Sequence, residues 1–216
     1  MKEFRISCSQ LKKFNASKAE RAGKYIMWIK EQFQNDAFPL WLLFENWLMT
    51  GKDEYDKFLD GQEIVDKAKL LQDYDTLKHN SKGLKFEVWE PQYEIKGELF
   101  WVPILWYVDN LTDEWIDDIK TTRYLNKKDS KQINSRSGMT YYEEYETQLW
   151  IYMKLMWRKK GRILEIAKHK YKDKRHANQI IEFHWSKAWD KKMTEKRQPI
   201  VEEMWKMRDE YSPLFK

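Results

Sequence analysis

The sequence predicts an α/β fold in which a central mixed β-sheet is flanked by helices. Apolar residues recur with a helical period through residues 1–80, and the period changes to two after the turn at 80–83. A helical period returns at 140–158, before two more strands and a last helix. This order is typical of a mixed sheet with helices on both sides. Since 216 residues suit one sizeable domain, we expect a single domain over 1–216, with a helical N-terminal part (1–80) and a sheet core (84–216).

Capping residues and helix breakers predict the helices of the N-terminal part. Ser17-Lys18-Ala19-Glu20 has the pattern of a capping box that opens a helix. Pro39 suits the first turn of another helix, because the N–H that proline lacks would have no partner there. Gly51 suits the end of that helix, because glycine tolerates the left-handed conformation. A further helix is expected over residues 62–79.

The second part of the chain predicts strands, turns and two helices. A period of two, interrupted by turn residues, predicts four successive strands at Leu84–Trp89, Gln92–Glu98, Phe100–Val108 and Glu114–Lys120. The polar segment Thr121–Met139 is expected to be a loop. The remaining predicted elements are a helix at Thr140–Arg158, strands at Arg162–Lys170 and Asn178–Trp185, and a C-terminal helix from Ser186 to about Glu210.

Composition limits the classes of site and partner. The net charge of +5 fits a polyanion partner without requiring one. Cys8 is the only cysteine, so an intrachain disulfide, a four-cysteine zinc site and an iron–sulfur cluster are excluded. No apolar run reaches the length of a membrane span, and the first residues lack the apolar segment of a secretory signal. We therefore expect an intracellular protein of the cytoplasm with no membrane partner.

Two acids and a lysine lie on a predicted strand–turn–strand segment. Asp109 follows an apolar strand, and Asp118 and Lys120 lie two apart on the next strand, where their side chains share a face. A hairpin can bring Asp109 beside them. Mg²⁺ prefers oxygen ligands, which the two carboxylates and the carbonyl of Ile119 could supply. Lys120 could orient the attacking water or stabilise charge on the phosphorus. The segment predicts a metal site that hydrolyses a phosphodiester, and a hairpin with exposed charges is the alternative.

Two further acids have to be weighed against this set. Asp117 alternates to the strand face opposite Lys120, so Asp118 is preferred over it as a ligand. Glu45 lies in the apolar helix segment 40–48, where a carboxylate is costly to bury unless it is paired or bound to a metal. Glu45 therefore either faces water or takes part in the site.

Gln148 and Tyr152 lie four apart in the predicted helix 140–158, so they share a helix face. This helix can lie over the strand hairpin, where Gln148 could hold the Lys120 amine or a DNA phosphate. In the alternative, the helix is simply amphipathic, with Tyr152 buried and Gln148 exposed to water.

Basic residues flank the proposed site in sequence. Lysine and arginine make the phosphate contacts that supply most non-specific affinity for nucleic acids. A solvated surface is the alternative for any such run of charge. The loop residues assigned to nucleic-acid binding, together with Tyr152, are Arg123, Lys127, Lys128, Lys131 and Arg136.

Four short motifs, in this order, are similar to those of the PD-(D/E)xK nuclease superfamily, in the branch of RecB-type and Cas4-like exonucleases. Residues 6–14 (ISCSQLKKF) resemble its N-terminal Ser-x-x-Leu-x-x-Phe element, and residues 104–109 (ILWYVD) resemble its apolar strand ending in Gly-x-x-Asp. Residues 116–122 (IDDIKTT) resemble Ile-Ile-Asp-x-Lys-Thr, its most diagnostic segment, and residues 148–152 (QLWIY) resemble its Gln-x-x-x-Tyr helix. Four elements in the right order are far more specific than any one of them.

The resemblance implies the restriction-endonuclease-like fold of the RecB nuclease core and a Mg²⁺- or Mn²⁺-dependent deoxyribonuclease, an exonuclease rather than an endonuclease. Its expected setting is DNA recombination, repair or phage DNA processing. Lys120 would position or activate water, and Gln148 would support Lys120. Glu45 stands where this branch usually has a histidine ligand, which keeps a suitable ligand type. The implied metal ligands are Asp109, Asp118, Glu45 and the carbonyl of Ile119, and the implied catalytic residues are Asp109, Asp118, Lys120 and Gln148.

The chain departs from the family pattern in two places. Trp106 replaces the glycine that normally precedes the first acid, which predicts different packing of that strand. Cas4-like members carry four cysteines for an iron–sulfur cluster, and Cys8 alone cannot hold one. A homo-oligomer, or a helicase or recombinase partner, is compatible with this assignment but has no motif of its own. The rival interpretation is a non-catalytic nucleic-acid-binding or partner-docking module on the same scaffold.

Overall fold

A five-stranded sheet forms the centre of the fold. The structure is a computed structural model that describes residues 36–59, 64–122, 125, 133, 139–169 and 177–211. The strands are β1 (Glu90–Leu99), β2 (Val102–Leu111), β3 (Ile116–Thr122), β4 (Lys160–Ala167) and β5 (Asn178–His184), and they lie side by side in this order. The helices are α1 (Ala37–Thr50), α2 (Tyr55–Leu59), α3 (Lys67–Ser81), α4 (Tyr141–Met156) and α5 (Lys187–Tyr211). In the part of the chain that is described, no helix is both long enough and apolar enough to cross a membrane.

The sheet is mixed because one of its connections is a helical crossover. β3 and β4 are parallel, and the other neighbouring pairs are antiparallel. A parallel pair needs a long connection, and α4 lies in that connection. Thr140 and Glu143 form a capping box at the start of α4, where Thr140 Oγ1 accepts from the Glu143 N–H (3.2 Å) and Glu143 Oε2 accepts from the Thr140 N–H (2.9 Å).

Helices cover the sheet with separate apolar clusters. Leu149 and Met153 of α4 pack with Val108, Ile116 and Ile163 of the sheet. Helices α1 and α3 pack in another cluster with a different set of strand residues, Ile119, Leu164 and Ile166. This arrangement confirms the predicted fold class, a mixed sheet flanked by helices.

The predicted strand at Leu84–Trp89 is wrong, because this segment forms no strand ladder. The side chain of Asn110 holds it instead. Asn110 Oδ1 accepts from the Trp89 N–H (3.1 Å), and Asn110 Nδ2 donates to the Glu87 carbonyl (2.7 Å). A period of two shows that alternate residues differ in polarity, but it does not show that the backbone finds a neighbouring strand.

Several element bounds also differ from the prediction. β2 continues to Leu111, so Asp109 lies inside the strand and not at its end. Helix α2 was not predicted. Gly51, with φ of +71°, ends α1 as expected, and Ser186 Oγ accepts from the Trp189 N–H (3.1 Å) at the start of α5. The capping box at residues 17–20 and the motif at residues 6–14 lie outside the described residues.

Candidate active site

The β2–β3 hairpin places the two predicted acids at one position of the sheet. Its ladder pairs Leu111 with Ile116 and Asn110 with Asp117, and the next residues in this register are Asp109 and Asp118. Asp109 Oδ2 accepts a hydrogen bond from the Ile119 N–H at 2.6 Å. The Asp109 side chain therefore holds the neighbouring strand directly beside Asp118.

Asp118 and Lys120 form an ion pair at this position. The Lys120 ammonium lies 2.5 Å from Asp118 Oδ2, and the side chains are 28% and 1% exposed respectively. Asp118 Oδ1 accepts a hydrogen bond from the Gln148 amide of α4. Among the described residues, Asp118 Oδ2 receives no hydrogen bond of normal geometry, so its interaction with Lys120 is electrostatic. The amine is thus directed at the acid, as the strand period predicted.

Gln148 and Tyr152 share a face of α4 that is turned towards the hairpin. Gln148 is buried, so the alternative of an exposed glutamine is wrong. Its Nε2 also donates a hydrogen bond to Tyr152 Oη at 2.6 Å. Because Gln148 bonds Asp118, and Asp118 is paired with Lys120, Gln148 can hold Lys120 in place indirectly. Tyr152 is fully buried and its ring lies 5.7 Å from that of Trp106. Its side chain packs inside the protein, as in the alternative of an amphipathic helix with a buried tyrosine, and a role of Tyr152 in nucleic-acid binding stays a prediction.

Glu45 joins the site from α1. It is buried, and Glu45 Oε1 accepts a hydrogen bond from the Gln92 amide of β1. Burial raises the pKa of the Glu45 carboxyl from 4.5 to about 7; the Gln92 hydrogen bond and Lys120 act in the opposite direction, and Asp118 adds to the increase. Glu45 therefore does not face water, and it lies within electrostatic reach of Asp118 and Lys120.

The same forces act on Asp109. Burial raises the pKa of the Asp109 carboxyl well above its ordinary value, and the charges of Asp118 and Glu45 raise it further. Lys120 and the Ile119 N–H oppose this increase. Glu45, Asp109 and Asp118 thus form a group of mutually repelling acids beside one cation.

Asp117 has a separate, structural role, as its strand position predicted. It is fully buried and paired with Arg162 of β4, whose Nε and Nη2 lie 2.7 and 2.9 Å from the two carboxylate oxygens. Asn110 Nδ2 donates to Asp117 Oδ2 at 3.0 Å. The arginine and the amide satisfy this carboxylate, which makes Asp117 unsuitable as a ligand.

A buried acid on β4 was not predicted. Glu165 pairs in register with Lys120, and its Oε1 accepts from Tyr145 Oη at 2.7 Å while its Oε2 accepts from the Gln179 amide. Burial raises the pKa of the Tyr145 phenol, which the carboxylate of Glu165 raises further. The sequence offered no signal for this cluster beyond an acid in an apolar strand.

The donor set fits a divalent cation with oxygen ligands. Mg²⁺ usually takes one or two protein carboxylates and completes its shell with substrate phosphate and water. The half-buried Asp109 and the Asp118 Oδ2 atom described above suit such an ion. Within the described residues, no group of three or more His, Cys, Asp or Glu side chains is arranged to hold a metal. Ligation by Glu45 and by the Ile119 carbonyl stays a prediction.

The basic residues of the predicted loop lie outside the described residues. This applies to every loop residue assigned to nucleic-acid binding, namely Arg123, Lys127, Lys128, Lys131 and Arg136. Their role stays a prediction.

Comparison with solved structures identifies the architecture. No protein-family model and no curated protein matches the chain. A protein from Eubacterium rectale, provisionally described as an exonuclease, superposes with a TM-score of 0.71 at 14% identity, over 95% of this chain and 82% of that one. An alkaline exonuclease from Laribacter hongkongensis gives a TM-score of 0.49 at 12% identity, over 97% and 92% of the two chains. A phage-related exonuclease from Haemophilus somnus gives 0.48 at 12% identity, over 98% and 96%. The chain therefore shares the fold of the Eubacterium rectale protein.

Proposed function

We propose that this protein is a Mg²⁺- or Mn²⁺-dependent deoxyribonuclease of the PD-(D/E)xK superfamily, in its RecB-like and Cas4-like branch without the iron–sulfur cluster. The observation that carries the proposal is the position of Asp109, Asp118 and Lys120. The two acids meet across one hairpin, and the lysine amine lies against Asp118. Exonuclease action is proposed over endonuclease action because the Eubacterium rectale protein with this fold is provisionally described as an exonuclease.

Each side chain has a chemical role in this proposal. Asp109 and Asp118, with Glu45 and the carbonyl of Ile119, would hold the cation. A bound cation would supply Lewis acidity that stabilises negative charge on the phosphate.

Lys120 is the group that acts on the attacking water. Its amine is partly exposed, so it can reach both the water and a substrate phosphate while Asp118 holds it in place. As a donor and a cation it orients the water and stabilises charge that develops on the phosphorus. Gln148 fixes Asp118 from α4 and thereby maintains the geometry of the lysine.

Incubation of the purified protein with end-labelled linear DNA and with circular DNA, in Mg²⁺ or Mn²⁺, tests the proposal. Degradation of linear DNA alone is expected for an exonuclease. Lys120→Ala should reduce cleavage by at least ~100-fold, in the range typical for a group that assists proton transfer. Folding and DNA binding should be preserved, because this side chain is partly exposed.

Lys191→Ala is a suitable control. It removes another surface lysine that faces a carboxylate, 3.8 Å from Glu195 on α5, and should leave cleavage unchanged. Cleavage by Lys120→Ala at the wild-type rate would disprove the role of the lysine. Absence of cleavage by the wild type with both metals and both DNA forms would disprove the proposed activity.

A non-catalytic nucleic-acid-binding module is the second candidate. It is favoured by the absence, within the described residues, of a group of three metal-binding side chains in a binding arrangement. Calorimetric titration with Mn²⁺ separates the two candidates. Heat of binding that disappears in Asp118→Asn supports the enzyme, and a silent titration together with retained DNA binding supports the module.

A further inference from the structure

Gln92 has a backbone conformation that its side chain disfavours. Its φ is +54°, in the left-handed region, although it lies inside strand β1. Among the described residues, the other non-glycine residues with positive φ lie in the β1–β2 turn or just after α4. Glycine or asparagine would adopt this conformation more readily. Strained residues of this kind persist where the surrounding structure requires them, often at functional sites.

The distortion lies opposite one of the candidate metal ligands. The β1–β2 ladder pairs Pro91 with Asn110 and Tyr93 with Val108. Gln92 and Asp109 fall between these pairs and form no ladder pair themselves. The ladder is therefore interrupted at Asp109, whose carboxylate binds the Ile119 N–H on the other side.

The side chain of Gln92 extends from this position to Glu45. Its amide donates to Glu45 Oε1, although the residues lie 47 positions apart in sequence. Asparagine, which would fit the backbone better, has a side chain one methylene shorter. The contact thus explains why the strained position carries a glutamine.

We propose that Gln92 is a positioning residue for the metal site: its amide holds the carboxylate of Glu45 within electrostatic reach of Asp118 and Lys120, where its charge strengthens the binding of a divalent cation by Asp109 and Asp118. This inference rests on the proposed function. Carboxylate ligands are commonly held by such a partner, and loss of the partner weakens metal binding or activity by about 10–100-fold.

Calorimetric titration of Gln92→Gly with Mn²⁺ tests the inference. Glycine suits a φ of +54°, which offsets part of the cost of leaving the buried Glu45 carboxyl without its donor, so the metal-free variant should fold and melt close to the wild-type temperature. Its Kd for Mn²⁺ should nevertheless rise by at least ~10-fold. Because the amide would not reach, Gln92→Asn should weaken Mn²⁺ binding by a similar factor, and it serves as the second variant if the glycine variant does not fold. A purely structural role would change only the melting temperature and leave the Kd unchanged.

Gln198→Ala provides the matched control. It removes a glutamine–glutamate bond of the same kind, 2.8 Å between Gln198 Nε2 and Glu202 Oε1 on α5, and should leave Mn²⁺ binding unchanged. Folded Gln92 variants that bind Mn²⁺ within twofold of the wild type would overturn this inference alone. A wild type that binds no Mn²⁺ would overturn the proposed metal site and this inference with it.

Discussion

Replacing Glu45 by glutamine should change how the stability of the metal-free protein depends on pH. The Glu45 carboxyl is buried, and its pKa is raised from 4.5 to about 7. Glutamine has the same shape, and its amide oxygen can still accept the hydrogen bond that Gln92 donates. The substitution therefore removes the charge and preserves most of the packing.

The sign of the effect follows from proton binding. Between pH 4.5 and about 7 the folded protein holds a proton on Glu45 that the unfolded chain releases. The free energy of unfolding of the wild type must therefore fall as pH rises through this window. At about 1.4 kcal/mol for each pH unit, the whole effect is about 3 kcal/mol, of which about 2–3 kcal/mol falls between pH 5 and pH 8. Charge on Glu45 also raises the pKa of Asp109, so its removal adds an effect of the same sign.

Urea unfolding in EDTA at pH 5 and pH 8 measures this quantity. The free energy of unfolding of Glu45→Gln, taken relative to the wild type, should be about 2–3 kcal/mol higher at pH 8 than at pH 5. Glu202→Gln, at an exposed carboxylate of α5, should follow the wild type at both pH values. Parallel pH profiles for the wild type and Glu45→Gln would refute the conclusion that burial controls this acid.

Addition of Mn²⁺ extends the experiment to the proposed ligand role. At a concentration of about 100 Kd, a bound cation stabilises the folded state by about 2.7 kcal/mol. The wild type should gain this stabilisation at pH 8, where Glu45 is ionised. Glu45→Gln should gain less at the same Mn²⁺ concentration. An equal gain in both proteins would exclude Glu45 as a ligand.

Three further predictions concern stability and can be checked by urea unfolding at pH 7. Arg162→Leu should cost about 3–5 kcal/mol, because it leaves the fully buried Asp117 without its charge partner; a loss below about 1 kcal/mol would contradict this. Tyr145→Phe should cost about 1–3 kcal/mol, because Glu165 Oε1 loses its donor in the interior. Trp101→Gly should gain about 0.5–1 kcal/mol, since the indole is 88% exposed and its φ of +68° suits glycine; a loss of stability would show that this side chain makes contacts that its exposure conceals.

The acids and the lysine of the site were predictable because a strand has a strict period. Two-residue spacing places Asp118 and Lys120 together and Asp117 apart, and the structure has this arrangement. Helix α4 was predictable for a similar reason, because apolar residues return with a helical period at 140–158. Local periodicity therefore determines which side chains of one element act together.

Contacts between distant elements could not be predicted in the same way. The bond from Gln92 to Glu45 depends on a left-handed residue inside a strand, and glutamine carries no sequence signal for that conformation. The wrong prediction of a strand at 84–89 has the same cause. A strand needs a neighbouring strand for its backbone hydrogen bonds, and in this segment the side chain of Asn110 makes such bonds instead.

The proposed cation would compensate the charges of the site. Three acids lie within electrostatic reach of one another, and Lys120 supplies one positive charge close to them. Burial is the main reason why the pKa values of Glu45 and Asp109 are raised, and the charge of Asp118 raises both further. A divalent cation, if bound as proposed, would supply positive charge and displace the protons that the raised pKa values favour. The raised pKa values and the proposed metal site are thus two consequences of one arrangement, in which acids from a helix and two strands approach a single lysine.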